Sequence, residues 1–102
     1  MFQLTASYAH PENPDAFLAH YRGTHAPLAL GFPKVRAFDW TICESADGSR
    51  PPHFLIAAVR WDSKDDALAA LASPAGEAAV ADLANFAGAG VDIDLGEVNV
   101  EL

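Results

Sequence analysis

Four short segments of this sequence have the residue pattern of β-strands, and helical segments separate them in a fixed order. In the first strand segment, Phe2 to Tyr8, apolar side chains alternate with polar ones, which is the period of a half-buried strand. The third, "HFLIAAVRW", is apolar on both faces and is therefore expected at the centre of a sheet. The other two strand segments are "VRAFDWTICE" and "VDIDLGEV".

Capping residues mark where the helices begin. Asn13 predicts the N-cap of a helix over residues 14–25. Ser63 predicts the start of a second helix, which restarts after a bend at Ser73 and continues through "AGEAAVADLANF". The resulting order β-α-β-β-α-β predicts an α+β fold of the ferredoxin-like type, in which both helices cover one face of a four-stranded antiparallel sheet.

The chain length and the strand patterns bear on its assembly. The 102 residues correspond to a single domain, residues 1–102. Strands with apolar or aromatic residues on both faces would leave a large apolar patch on the sheet face that no helix covers. We therefore expect a homodimer in which two sheets pack face to face as a barrel. The apolar alternation changes phase after Gly96, which predicts a β-bulge there and a tail that reaches the partner chain.

The charge distribution excludes some classes of partner. The net charge is −8, and no Lys or Arg follows Lys64. An acidic surface repels phosphate groups, so neither nucleic acid nor a membrane surface is expected as a partner. No apolar run approaches the ~20 residues of a membrane span, and the N-terminus lacks a secretory pattern, so a cytoplasmic location is expected. Cys43 is the only cysteine, which excludes an intrachain disulfide.

The most unusual stretch is "FLAHYRGTHAPLALGFPKV", which combines two histidines, a tyrosine and an arginine. On a helical wheel, Phe17 and Tyr21 point toward the sheet with His25 beside them, and His20 lies on the opposite flank. His20 and His25 are five residues apart, roughly 140° on an α-helix, whereas paired metal ligands on a helix are spaced by four. A shared metal site is therefore disfavoured.

Pro27 is expected to end the helix just after His25. His25 would then lie at a helix C-terminus, where the dipole favours the imidazolium form and burial opposes it. From the residues alone, two interpretations of His25 stay open: a core or capping histidine with satisfied nitrogens, or a group for acid–base chemistry. Tyr21 and Phe86 fit either core packing or a site, and Trp40 fits the core, the dimer interface or a site.

Longer stretches of the chain resemble a known family. "YAHPENPDAFLAHYRGTHAPLALGFPKVRAF", "RPPHFLIAAVRWDSKDDALAALASPAGEAAVADLANF" and "GVDIDLGEV" resemble the EthD family over nearly the whole chain. The most specific part is "HYRGTHAPL"; the departure is Lys34, which stands where the family commonly has a glycine in a turn. The resemblance implies the dimeric α/β-barrel superfold, and it matches His25 and Tyr21 to motif positions. Relatives on that superfold include cofactor-free monooxygenases, polyketide cyclases, an isomerase and haem-dependent enzymes.

The first functional hypothesis is therefore a cofactor-independent enzyme that acts on a small hydrophobic or aromatic metabolite. His25 would act as general acid or base, and Tyr21 would orient it or donate a hydrogen bond to a developing oxyanion. The residues expected to bind the substrate are Tyr8, Phe17, Trp40 and Phe86.

Two alternatives belong to other classes. The second hypothesis is a non-catalytic dimeric module that binds a hydrophobic metabolite or serves a partner oxygenase in a catabolic pathway, with a structural His25. The third makes His25 an axial ligand of haem iron, whereas the first two expect no cofactor and no metal. A cavity of at least ~300 Å³ that reaches His25 favours the first hypothesis, and a filled interior favours the second.

Overall fold

Strands and helices alternate along the chain as expected, and the computed structural model describes all residues from 1 to 102. The strands are β1 (Phe2–Tyr8), β2 (Ala37–Ile42), β3 (Leu55–Trp61) and β4 (Val91–Glu97). The helical segments are α1 (Pro14–His20), a π-helical turn (Tyr21–His25), α2 (Ala26–Leu30), α3 (Lys64–Ala72) and α4 (Pro74–Phe86). All strand pairs are antiparallel, in the order β2-β3-β1-β4. The α+β, ferredoxin-like prediction is confirmed.

The predicted N-caps are present. The side chains of Asn13, Ser63 and Ser73 each accept a hydrogen bond from the backbone N–H three residues on, at 3.0, 3.1 and 3.2 Å. Ser73 also ends α3, so the chain bends by 68° between α3 and α4. No single helix is long and apolar enough to cross a membrane, and only the bent α3–α4 pair meets that test, by length and composition.

The predicted end of the first helix is wrong, because helical structure continues past Pro27 to Leu30. The intervening turn is π-helical, and its last hydrogen bond runs from the Ala26 N–H to the Tyr21 carbonyl. The α-helix restarts at Ala26, which puts Pro27 in a first turn. A first turn tolerates proline because the N–H that proline lacks has no partner there. His25 therefore lies inside a continuous helical run, and the argument from a C-terminal dipole does not apply.

The sheet face toward the helices carries the core. Alternate residues of the two central strands lie on it, each with 8% or less of its surface exposed: Leu4, Ala6, Tyr8, Leu55, Ala57, Val59 and Trp61. Trp61 is fully buried, and its indole N–H donates to the Pro33 carbonyl at 3.0 Å. Phe17 and Tyr21 pack onto this layer from the helical side.

The opposite sheet face is mainly polar, contrary to the expectation of apolar residues on both faces. The apolar residues there are Ile56 and Ala58 of β3 and Ala37 of β2, and Arg60 follows the two β3 residues on the same face. The register places the polar members of the neighbouring strands beside them: Gln3, Thr5, Ser7, Asp39, Thr41, Asp92 and Asp94. The Arg60 Nε–H donates to the Gln3 side-chain oxygen at 2.7 Å. This face therefore lacks the large apolar patch on which the prediction of a face-to-face dimer was based.

The last strand is regular, so the predicted bulge at Gly96 is wrong. Gly96 pairs with Gln3 and Glu97 pairs with Phe2, without an extra residue on either strand. The strand ends at Glu97, and residues 98–102 form no strand. The phase change in the sequence marks the end of β4 rather than a bulge within it.

Candidate functional site

A buried carboxylate joins two histidines on the helical side of the fold. Asp82 of α4 is 6% exposed, and one of its oxygens lies 3.0 Å from Nδ1 of His25. Nε2 of His20 lies 2.9 and 3.0 Å from the two carboxylate oxygens, and Nδ2 of Asn85 donates to one of them at 3.0 Å. Such a carboxylate is stabilised in its ionised form because it accepts several hydrogen bonds.

The π turn brings the two histidines to the same carboxylate. Its hydrogen bonds span five residues instead of four, so residues five apart fall on one side of the helical run. The predicted separation of roughly 140° between His20 and His25 assumed a regular α-helix and is wrong. The local widening of the helix is thus what assembles the site.

The hydrogen bonds fix the protonation of the network. Burial alone would raise the pKa of Asp82, but hydrogen bonds from Asn85, His20 and His25 outweigh it and hold that pKa below its ordinary value. The ionised carboxylate can only accept, so Nδ1 of His25 carries the hydrogen. In neutral His25 the other nitrogen, Nε2, is then an acceptor.

The hydroxyl of Tyr8 faces that second nitrogen. Its oxygen lies 3.4 Å from Nε2 of His25, at the long end of the hydrogen-bonding range. Burial lowers the pKa of His25, and the charge of Asp82 only partly opposes this effect. Burial raises the pKa of Tyr8 and of Tyr21, so both phenols are neutral near pH 7. His25 is therefore a neutral base held between a carboxylate and a phenol.

A cavity between the sheet and the helices reaches His25. Its volume is about 220 Å³, and its wall is apolar apart from Tyr8, Tyr21 and His25. Val80 of α4 and Ile93 of β4 line it and are 52% and 45% exposed, which places the opening between these two elements. The volume exceeds the roughly 150 Å³ of a cavity that binds benzene, but it is below the ~300 Å³ at which typical ligand pockets begin.

The structure brings only some of the predicted site residues to the cavity. His25, Tyr8 and Tyr21 line it, whereas Phe17, Trp40 and Phe86 do not. Phe17 and Phe86 pack against the ring of Tyr8 at 5.4 and 5.6 Å. Trp40 packs against Tyr21 at 5.2 Å and carries Arg22 over its ring at 5.1 Å. These three aromatic residues support the wall from behind rather than form it.

The hydrogen-bond partner of His25 also differs from the expected one. The ring of Tyr21 lies 5.5 Å from the imidazole, but the hydroxyl within reach of Nε2 is that of Tyr8. The sequence suggested Tyr21 because it is four residues from His25 on a helix. Tyr8 is on β1, and only the packing of the helices onto the sheet brings it close.

Asp82 is the functional candidate that sequence reasoning missed. On α4 it shares a face with Ala79, which is buried, and with Leu83 and Phe86, which pack against the core. A carboxylate on an apolar helix face needs buried partners. That signal was present in "AVADLANF", but the partner histidines could not be located without the π turn.

The donor arrangement bears on metal and haem. No group of three or more His, Cys, Asp or Glu side chains converges on a point that could hold a metal ion. Nδ1 of His25 is hydrogen-bonded to Asp82, and Nε2 faces the hydroxyl of Tyr8. Axial ligation of iron by Nε2 would therefore have to displace that hydroxyl. The haem hypothesis gains no support from this geometry.

Comparison with known structures first defines the class of fold. A crystal structure of an ethyl tert-butyl ether D (EthD) family protein from Bacillus halodurans superimposes with a TM-score of 0.91 and 29% identity, over 97% of this chain and 99% of the other. SnoaB, a cofactor-independent oxygenase from Streptomyces nogalater, superimposes with a TM-score of 0.66 and 17% identity, over 99% and 94% of the two chains. This chain therefore has the fold shared by these proteins.

Sequence comparison then defines the family. The EthD domain model matches residues 9–90. An uncharacterised 11.0 kDa protein from the thcB–thcC intergenic region of Rhodococcus erythropolis is 43% identical over 91 residues, which cover 89% of this chain and 88% of the relative. The chain belongs to the EthD family, as the resemblance of "HYRGTHAPL" implied.

The first prediction concerns the buried carboxylate. Asp82→Asn keeps the side-chain shape but removes the charged acceptor of the hydrogen bonds from both imidazoles. We expect a loss of roughly 2 kcal/mol in the free energy of unfolding at pH 7, since a hydrogen bond to a charged group typically contributes about 1.5–3 kcal/mol. Urea unfolding at fixed protein concentration measures it. Glu77→Gln, on the exposed side of the same helix, is the control. Equal stability of the two variants would contradict the role given to Asp82.

The second prediction concerns pH. The folded-state pKa of His25 lies below its ordinary value of 6.5, so the unfolded chain binds this proton more tightly and protonation favours unfolding. The contribution of His25 is fully present above about pH 6.5 and is lost as the pH falls toward its folded pKa. The stability difference between wild type and His25→Gln should therefore shrink between about pH 7 and pH 5. A difference that grows on acidification would mean that the folded pKa is raised.

Proposed function

We propose that this EthD-family protein binds a small, neutral, largely apolar or aromatic metabolite in the cavity and carries out cofactor-independent acid–base chemistry at His25. The observation that carries the proposal is the acceptor nitrogen of a neutral imidazole beside an apolar cavity, with an ionised carboxylate bonded to the other nitrogen. A titratable group of this kind in an apolar pocket is the standard basis for an active-site hypothesis.

The proposed reaction is proton transfer at an acidic C–H or phenolic O–H. Nε2 of His25 takes the proton, and the electron pair of the broken bond stays on the substrate as an enolate or phenolate. Asp82 stabilises the imidazolium that forms, and the hydroxyl of Tyr8 can turn from Nε2 to the developing oxyanion. Return of the proton to a different substrate atom completes an isomerisation. In a cyclisation, the carbanion forms a bond to a carbonyl carbon of the same substrate, and the oxygen of that carbonyl takes the proton back from His25.

The electrostatics of the wall support a neutral ligand. Its polar side chains are Tyr8, Tyr21 and His25, and none of them is a fixed cation. The nearest charge is the negative carboxylate of Asp82, which is hydrogen-bonded to Nδ1 of His25, the nitrogen that faces away from the cavity. A carboxylate or phosphate ligand would have to enter this site without a positive partner, which is costly in an apolar environment.

The second candidate is the non-catalytic binding or accessory module. The small volume of the cavity, about 220 Å³, favours this alternative over turnover of a large polycyclic substrate. Both candidates use the same cavity, so binding alone does not separate them. The separation requires a measurement of proton transfer.

The oligomeric state, the cellular location and the catabolic role expected from the sequence remain predictions. We propose that residues 1–102 act as one domain and that the chain forms a homodimer through the sheet face without helices. Face-to-face packing would have to pair Arg60 with carboxylates such as Asp39 or Asp94, because this face is polar. The cytoplasmic location, the catabolic role and the absence of nucleic-acid and membrane partners also stay predictions.

The third prediction tests ligand binding at the cavity. The probe is 2-tetralone, a neutral bicyclic ketone with an acidic C–H. Val80→Trp should abolish its binding by isothermal calorimetry, because Val80 is an exposed residue at the opening. Leu68→Trp is the matched control, since Leu68 is similarly exposed at 45% but does not line the cavity. Equal binding by the two variants would contradict the site.

The same probe separates catalysis from binding. Wild type should accelerate exchange of the acidic C–H of 2-tetralone for deuterium in D₂O, as followed by NMR, and His25→Gln should lose this acceleration while it still binds the ketone. Binding without any accelerated exchange in wild type would favour the non-catalytic module.

A further inference from the structure

The carboxylate of Asp82 connects two separate spaces. His25 lies on the cavity side with 9% of its side chain exposed. His20 lies on the other side with 28% exposed, in an open groove of about 640 Å³ that is also lined by Glu12, Asn85 and Phe86. The acid–base chemistry proposed above uses His25 and Asp82 and assigns nothing to His20.

One carboxylate thus serves two groups that can each become a cation. Asp82 carries a single negative charge, so it can neutralise one imidazolium but not two. Desolvation penalises a positive charge less on His20, which touches the solvent of the groove, than on His25, which lies in an apolar wall. A proton on His20 therefore uses the negative charge that would otherwise stabilise a proton on His25.

We propose that His20 is a positioning residue that keeps His25 available as a neutral base, by sharing Asp82 and competing for its charge. The inference rests on the proposed function for its catalytic meaning, but the coupling itself is a property of the free protein. A positive charge on His20 weakens the hold of Asp82 on the His25 proton, so the charges of the two imidazoles depend on each other through one shared carboxylate.

The other groups around the pair do not replace this coupling. Tyr8 on β1 and Tyr21 on the helical run face His25 as neutral phenols, because burial raises the pKa of each. Glu12, in the turn before α1, faces the groove and adds negative charge on the His20 side. Asn85 and Phe86 of α4 are uncharged. His20 is the one potential cation in direct contact with Asp82 besides His25.

The test is an NMR titration of the histidine ring signals in the ligand-free protein. His20→Gln retains an N–H donor for Asp82 but removes the charge, so the pKa of His25 should rise by about one pH unit or more, since a nearby charge typically changes a pKa by 1–3. His20→Lys restores a cation, so it should keep the pKa of His25 close to that of wild type. His53→Gln, a histidine without a role in the network, is the control.

The charge dependence separates coupling from a structural role. A pKa of His25 that is unchanged in His20→Gln, or that rises equally in His20→Gln and His20→Lys, would overturn the proposal. If the Gln variant does not fold, the wild-type curve decides: coupling requires the His25 signals to sense the titration of His20, and two independent single-proton curves would overturn it. None of these readouts needs a ligand, so failure of the 2-tetralone experiments would leave this result standing, and the reverse also holds.

Discussion

The arrangement of the helices over the sheet depends on one buried carboxylate. Asp82 is 6% exposed and accepts hydrogen bonds from three side chains: those of His20 and His25 on the first helical run, and that of Asn85 on α4 itself. An ionised carboxylate in such a place is tolerated only when its oxygens are fully partnered. α4 and the helical run that contains His20 and His25 must therefore keep one relative position, and that position also shapes the cavity.

The π turn and the aromatic layer serve this arrangement. The turn widens the helix so that both imidazoles reach α4, and it lets the chain remain helical through Pro27. Phe86 fills the space between them, with its ring 5.0 Å from that of His20 and 4.7 Å from that of His25. π turns inside helices are frequent at functional sites, and here the turn decides which side chains can meet.

Much of the fold follows from local sequence, whereas the site does not. The caps at Asn13, Ser63 and Ser73 and the strand periods depend on neighbouring residues, so the order of elements could be predicted. The continuation of the helix past Pro27 depends on a change of hydrogen-bond spacing that no periodicity reveals. The pairing of Tyr8 and Asp82 with His25 spans 17 and 57 residues, and such contacts exist only after the helices pack on the sheet.

The polar outer face shows a similar limit. β3 is apolar on both faces, and extending that property to all four strands gave a wrong expectation for the sheet as a whole. Its neighbours place Thr, Ser, Asp and Gln on the outer side. The buried residues are therefore concentrated between the sheet and the helices. The hydrogen-bonded network of Asp82, His20 and His25 lies there too, next to the cavity.

The central claim is that Asp82 fixes His25 as a neutral imidazole with its hydrogen on Nδ1 and its lone pair on Nε2 toward the cavity. Long-range ¹H–¹⁵N correlation spectra of the histidine rings, recorded at about pH 8 where a free imidazole is neutral, measure this directly. We expect a protonated Nδ1 and an unprotonated Nε2 for His25. A hydrogen on Nε2, or an imidazolium at that pH, would contradict this expectation.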